Sequence, residues 1–390
     1  MIIIQNEKTI FTKYATVLIT LLLAWGIVTC AAQQKRMKIL MIVGSFPVIH
    51  DICIVNQITG LIDRGHDVRI FAFNKGDCIH VQEDVIAYDL INKTTFKKLP
   101  KTLDDYDIVM FQFGNRAFDI KKVHHFKGKV VVCLRGYDIT VFLKNNPHTY
   151  DEYFDTCDLF MPVCKAFKKI LEAIGCKSSK IVVQHSAIDC SRFKFKKREI
   201  PQQGTINIVS AGRFIEKKGF VYAIQAIAEL VKKYPQIRYT LIGNGILKTE
   251  YEKLIQDLHI SEKVTMYSWH THEEYIALLN EAHLFILPSV TAQSGDQEGI
   301  PNVLKEAMAM GLIVVGTDHS GNSELIEDGV SGLLVPERNS NAIVNAIEYL
   351  LSHRQDLPAM QLAAAHKVRA EFDKEKENDT LEAILSKLVQ

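Results

Sequence analysis

From residue 37 onward the chain alternates short apolar runs with longer stretches whose apolar residues recur at helical spacing. Residues 38–43 read as a first strand, followed by a Gly44-Ser45-Phe46-Pro47 loop. Residues 54–64 place Ile54, Ile58, Leu61 and Ile62 on one helical face, Gly65-His66-Asp67 ends that helix, and 68–73 is the next strand. Further strands are expected at 108–112, 130–134, 159–162 and 181–184. Continuous rather than alternating apolar runs mean strands covered on both faces, hence a parallel sheet with helices on either side.

A polar, basic stretch at 192–204 contains Pro201 and Gly204 and reads as an interdomain linker. A second series of strands and helices follows. Its strands are expected at 206–211, 238–242, 264–267, 284–287, 313–316 and 332–335. Its helices are expected at 219–234, 247–258, 272–282, 301–310 and 341–351, with a short turn at 323–327. Residues 358–388 are helical in period and rich in charge. The expectation is two doubly wound, Rossmann-like α/β domains facing across a cleft. Residues 1–36 form a hydrophobic N-terminal segment, 37–195 a first domain and 196–370 a second. A C-terminal helix at 371–390 is expected to return to the first domain. Ligands of such sheets bind outside the carboxyl ends of the strands.

The 390 residues are 47% hydrophobic and 23% charged, with a net charge of +1, so no bulk excess of charge points to nucleic acid. The charge is unevenly spread: residues 37–200 hold 25 Lys+Arg and 19 Asp+Glu, a net of +6, and 201–390 hold 17 and 25, a net of −8. A basic front half suits an anionic partner such as a lipid headgroup, and equally an uneven solvated surface. The eight cysteines form no CxxC and mostly lie in or beside apolar runs, as buried thiols of a reducing compartment do. The nearly uncharged run at 14–32 suits a membrane helix or a signal peptide; alternatively, translation starts at Met37.

The segment Glu298-Gly-Ile-Pro-Asn-Val-Leu-Lys-Glu306 follows an apolar strand and a polar loop. Pro301 is placed to open a helix. The free amides of that helix end, near Asn302 to Leu304, suit a diphosphate. Glu306, a turn and a half in, can accept both hydroxyls of a ribose, and Glu298 can reach a sugar ring. Taken alone, the same spacing also occurs as a loop acid followed by a surface-helix acid. In Gly212-Arg213-Phe-Ile-Glu-Lys-Lys218-Gly219, a guanidinium and an ammonium leave a strand end together. Such a pair can hold a departing diphosphate, or simply be a solvated basic turn. Gly243-Asn244-Gly245 lets the backbone approach a ligand, but Lys248 occupies the place of a third glycine, so no dinucleotide fingerprint is met.

Six segments in order resemble the retaining family-four glycosyltransferases of the GT-B fold. They are AlaGlyArg to GluLysLysGly at 211–219, LeuIleGlyAsnGly at 241–245, PheIleLeuProSer at 285–289, the Glu298 and Glu306 pair, HisSerGlyAsnSerGluLeuIle at 319–326 and GlyValSerGlyLeuLeuValPro at 329–336. The front half resembles the colanic-acid and exopolysaccharide branch, through PheProValIle at 46–49, AsnGlnIleThrGlyLeu at 56–61, ArgGlyTyrAsp at 135–138 and HisSerAlaIleAsp at 185–189.

The resemblance implies that Arg213 and Lys218 bind the donor diphosphate and offset leaving-group charge, with Glu298 as the third catalytic residue, on the sugar. It implies donor binding by Gly212, Gly243, Gly245, Gly299, Ile300, Asn302, Val303 and Glu306. Arg135 stands where relatives often carry a His. Arg135 as an anion ligand, with Asp138 and Asp51 (after His50), are the acceptor-side candidates; His185 reads as structural. No cofactor and no metal are expected, because the cations and the helix end do the neutralising. Asp105-Tyr106-Asp107 matches a DxD, but just before a strand, where acids usually cap or face solvent.

The implied activity is transfer of a hexose from a UDP- or GDP-linked sugar to a saccharide acceptor, with retention, in exopolysaccharide assembly. The expected place is the cytoplasmic face of the inner membrane, the acceptor lipid-linked and nucleic acid no partner. Rival readings are an epimerase or phosphorylase of the same fold, or an exported sugar-binding protein.

Overall fold

The computed structural model describes residues 35–48, 51–77, 81–99, 102–115, 126–268 and 271–390. The apolar run at 14–32, His50, Cys30 and Cys78 lie outside them. The chain falls into two units, Met1–Met37 and Lys38–Gln390, and both sheets belong to the second.

The first sheet comprises β1 (Lys38–Phe46), β2 (Asp67–Lys75), β3 (Thr94–Phe96), β4 (Ile108–Phe111), β5 (Lys129–Leu134) and β6 (Leu159–Pro162), in the order β3-β2-β1-β4-β5-β6. The second comprises β7 (Ile206–Ala211), β8 (Ile237–Ile242), β9 (Val264–Tyr267), β10 (Leu284–Leu287), β11 (Ile313–Thr317) and β12 (Leu333–Val335), in the order β12-β11-β10-β7-β8-β9. Every pairing is parallel, with Ile39 opposite Val68 and Ile108, and Ile208 opposite Tyr239 and Leu284. The unbroken apolar strands follow from burial on both faces: all of β4, β6 and β10 is buried. Each sheet reverses direction of winding at one central pair, β1/β4 and β7/β10, and a crevice opens at the carboxyl ends of such pairs.

The helices of the first half are α1 (Ile52–Asp63), α2 (Glu83–Ala87), α3 (Val141–Asn145), α4 (Asp151–Thr156) and α5 (Lys165–Ala173). The second half adds α6 (Phe220–Lys233), α7 (Lys248–Asp257), α8 (His272–Asn280), α9 (Asn302–Ala309), α10 (Asn322–Leu325), α11 (Ser340–Ser352), α12 (Leu357–Glu371) and α13 (Lys374–Leu388).

Four details depart from the sequence-based expectation. Residues 181–184 form no strand; Ile181 makes a single bridge to Phe160. The short edge strand β3 and helices α2 to α4 are too short for a period to mark them, and sequence reasoning passes over α5, although Phe167, Ile170, Leu171 and Ile174 recur there at helical spacing. The region 358–388 is two helices. The break is at Phe372-Asp373, where the Asp373 carboxylate accepts the Glu375 amide at 3.0 Å, and capping of this kind starts a new helix. The polar stretch at 192–204 is strapped down: Arg198 is buried, and its guanidinium donates to the carbonyls of Met310, Asn280 and Ala282.

Helix α13 crosses to α1. Asn378 donates to the Asn56 carbonyl at 3.0 Å, and a Cβ built at Gly60 would lie 1.9 Å from the Asn378 amide nitrogen. Only glycine permits that approach. Arg64 pairs with Asp379 at 2.5 Å, and His66 lies 2.9 Å from Glu382. The described cysteines are free thiols, five of them buried, and burial pushes the Cys133 thiol up to about 12.

Candidate donor and acceptor sites

The crevice of the second sheet is built from the loops after β7 and β10. After β7 the chain passes Gly212 and Arg213 into a 3-10 turn, Glu216–Lys218, which buries Lys217 and Lys218. After β10 a loop runs from Pro288 to Pro301. Lys218 Nζ lies 3.2 Å from Glu298 Oε1, and Lys217 Nζ lies 3.7 Å from the same oxygen and 3.1 Å from Asp296. Burial opposes the Glu298 charge, but the two ammoniums, with Arg213 behind them, outweigh it and hold the carboxyl at about 2. Burial also pulls Lys218 below its ordinary value, with Glu298 opposing. Arg213 remains exposed. Sequence reasoning passes over Lys217 and Asp296, although Lys217 sits beside Lys218 in the same motif.

Helix α9 starts at Asn302, with Pro301 as its extended N-cap residue, one position later than the sequence suggests. The amides of its first turn, including Asn302 and Val303, have no carbonyl a turn earlier to bond. The side chains of Ile300 and Val303 are buried, which leaves the backbone of each as the part open to the crevice. Glu306 is 7% exposed and receives the Tyr275 hydroxyl of α8 at 2.8 Å. Burial raises its carboxyl to about 7, against the Tyr275 bond and the charge of Lys305. Tyr275 leaves Glu306 one oxygen for a ligand, and only the fold reveals it. Lys305 is fully buried and bonds the Ser186 carbonyl and Asn302 Oδ1, the latter at 2.9 Å; burial lowers its ammonium to about 8.

The glycines also let the loops of the protein approach one another. A Cβ at Gly243 would sit 1.9 Å from the Gly212 carbonyl oxygen, and one at Gly245 2.6 Å from that of Phe214. The close approach they allow is between the two strand-end loops, which tightens the crevice floor. Gly299 meets the first half instead: a Cβ there would come 2.7 Å from Val163 Cγ2.

The acceptor-side candidates are largely spent on the protein itself. Asp138 accepts the amides of Gly114, Arg135, Gly136 and Ile139 at 2.8–3.2 Å and is 1% exposed. Burial still raises its carboxyl. It clamps a loop, so its carboxylate is engaged by the protein itself. The Arg135 guanidinium donates to the Gln112 carbonyl and side chain, to Gln57 Oε1 at 2.9 Å and to Cys53 Sγ at 3.4 Å. It ties β4 and α1 together rather than facing an anion. Asp51 is the half-buried N-cap residue of α1 and adds to the field on Arg135. His185 sits between Glu324 and Glu377, at 3.4 and 3.5 Å, in a structural role. Near these residues lies a cavity of about 260 Å³. Ile139, Leu143, Lys144 and Ile170 line it from the first half, and Gly295 and Gln297 from the Glu298 loop. Asp107 accepts the Lys38 amide at 2.8 Å, at the amino ends of β1 and β4, the opposite edge of the sheet from the crevice.

The arrangement of cations, a helix amino end and a half-satisfied buried acid suits the binding of a nucleoside diphosphate sugar. Comparison with known proteins identifies the family. The family profile "Glycosyl transferases group 1" matches residues 191–368. The amylovoran biosynthesis glycosyltransferase AmsK of Erwinia amylovora is 31% identical over 407 residues, covering 90% of this chain and all of that protein. The N-acetylgalactosamine-N,N'-diacetylbacillosaminyl-diphospho-undecaprenol 4-alpha-N-acetylgalactosaminyltransferase of Campylobacter jejuni is 27% identical, covering 72% of this chain and 76% of that one. Among solved structures, Anabaena HepE in complex with UDP and glucose superposes with a TM-score of 0.72 over 90% of this chain and all of HepE, at 18% identity. The fold is GT-B, and a transferase displaces the epimerase, phosphorylase and binding-protein readings. The chain belongs to the group 1 glycosyltransferases.

Proposed function

We propose that this chain moves a hexose from a UDP- or GDP-linked sugar to a lipid-linked saccharide in the assembly of a cell-surface exopolysaccharide. Transfer retains anomeric configuration, uses no metal, and takes place at the cytoplasmic face of the inner membrane. The observation that carries the reading is the pair of buried ammoniums on Glu298 at the mouth of α9. Lys218, Lys217 and Arg213 neutralise the diphosphate as the bond from the anomeric carbon to its phosphate oxygen breaks. The acceptor oxygen bonds that carbon from the same face and gives its proton to the departing phosphate. Glu298, kept ionised by the cations, accepts hydrogen bonds from sugar hydroxyls, and Glu306 holds the ribose. The acceptor enters past Lys144 and the cavity beside Gly295 and Gln297.

The lipid-linked acceptor is supported by the Campylobacter relative, named for a diphospho-undecaprenol substrate, and by the net basic front half. The nucleotide class is supported by the UDP bound in HepE. The test is incubation of the purified protein with a panel of UDP- and GDP-sugars and membrane lipid extract. Nucleoside diphosphate release and the anomeric configuration of the product by NMR are the readouts. No turnover of any nucleotide sugar overturns the proposal, an inverted product removes retention, and loss of activity with EDTA removes metal independence.

A further inference from the structure

The segment His-Ser-Gly-Asn-Ser-Glu-Leu-Ile at 319–326 supplies a residue that the donor scheme leaves unused. His319 lies just beyond β11 and is 2% exposed. Its Nε2 accepts the backbone N–H of Glu298 at 3.1 Å, and its Nδ1 lies 2.6 Å from Glu337 Oε1. An Nε2 that accepts cannot carry the ring proton, so the proton sits on Nδ1 and is donated to Glu337. The other Glu337 oxygen accepts the Thr291 amide at 2.9 Å. One imidazole and one carboxylate thus join the ends of three adjacent strands: β11 at His319, β12 at Glu337, and the loop after β10 at both Thr291 and Glu298.

Between those two tied points lie Asp296 and Gln297, both partners of Lys217. Other bonds hold the loop independently of the imidazole. Thr317 Oγ1 donates to the Ser289 carbonyl at 2.5 Å, and the Gly321 amide donates to the Gly299 carbonyl at 3.2 Å. Loss of the ring therefore loosens the Glu298 peptide without releasing the loop.

We propose that Glu337 and His319 form a positioning relay that sets the backbone of Glu298, so that its carboxylate meets Lys218 and the donor sugar. The relay rests on the reading of Glu298 as the sugar contact. His319 touches no substrate; it acts through Glu298, and a small displacement of such a group is costly to turnover.

The test uses His319→Asn and His319→Gln in the full-length protein. Asn keeps an amide that donates to Glu337 but is too short to reach the Glu298 amide; Gln extends an acceptor toward it. The measurements are kcat and KM for the nucleotide sugar, Kd for the nucleoside diphosphate alone, and the melting temperature. His319→Asn should lower kcat roughly ten- to hundred-fold, with diphosphate affinity and melting temperature near wild type. His319→Gln should recover part of that loss, and Glu337→Gln should show a smaller loss of the same kind. In a Glu298→Gln background, His319→Asn should add nothing, because residues acting through one group are not additive. Diphosphate affinity and melting temperature falling together with kcat would overturn the relay, as would losses that multiply in the double variant. Full turnover by Glu298→Gln alone would instead remove the sugar-contact reading on which it rests.

Discussion

The two halves of the chain share one strand order and use charge in opposite ways. At the carboxyl edge of the second sheet, Lys217, Lys218, Glu298 and Glu306 converge on a crevice with binding capacity left over. At the same edge of the first sheet, Arg135 and Asp138 are committed to Gln112, Gln57 and four backbone amides. Net charge runs against this local picture. The half with 17 Lys+Arg and 25 Asp+Glu holds the cation pair, and the half with 25 and 19 spends its conspicuous Arg on packing. A bulk balance reports on long-range attraction, whereas a site depends on which few charges are left unsatisfied at the strand ends.

The contrast is open to direct attack, beginning with the largest effect. Lys218→Ala removes a cation from the leaving group and should lower kcat by about 10²- to 10³-fold, read by steady-state turnover; an unchanged kcat would erase the difference between the halves. Asp138→Ala leaves four buried amides without an acceptor. It should cost about 3 kcal/mol of stability in denaturant unfolding, while KM for the acceptor stays put. A change in acceptor KM with stability intact would return Asp138 to the binding machinery.

Glu306→Gln should weaken nucleoside diphosphate binding about ten-fold or more by calorimetry, as loss of a hydrogen bond to a charged group does. Its pH behaviour sharpens the point. With the folded carboxyl raised to about 7, the ionised, better-accepting form grows as pH rises from 6 to 8. Diphosphate affinity should climb more steeply over that window in the wild type than in Glu306→Gln, where only the terminal phosphate titrates. The smallest effect on binding is that of Glu298→Gln, which frees Lys218 from its carboxylate partner. It should tighten the nucleoside diphosphate several-fold by calorimetry while slowing transfer; weaker binding would mean that the ion pair helps hold the cation in place.

Much of the architecture is readable along the chain because a parallel strand buried on both faces has to be apolar throughout. β1, β4, β5 and β10 therefore stand out. Most exceptions have a physical cause. β3 and α2 to α4 are too short for a period to emerge, and the break at Phe372-Asp373 rests on one cap; α5 alone carries a legible helical period. In the site, Glu298, Glu306 and Lys218 stand in segments whose spacing marks them. Lys217 and His319 lie in marked segments too, but their roles, like those of Tyr275 and Glu337, depend on partners brought from other elements of the fold.

What the sequence alone determined is the class of the fold and which strand ends carry acids, cations and a helix start, since these follow from local periodicity and order. Only the tertiary structure decided which charges remain available. Arg135 and Asp138 are satisfied by groups 1 to 82 residues away, and Glu306 keeps one oxygen because Tyr275, 31 residues earlier, takes the other. Hydrogen-bond satisfaction is a property of the packed chain, so no spacing rule along the sequence can state it in advance.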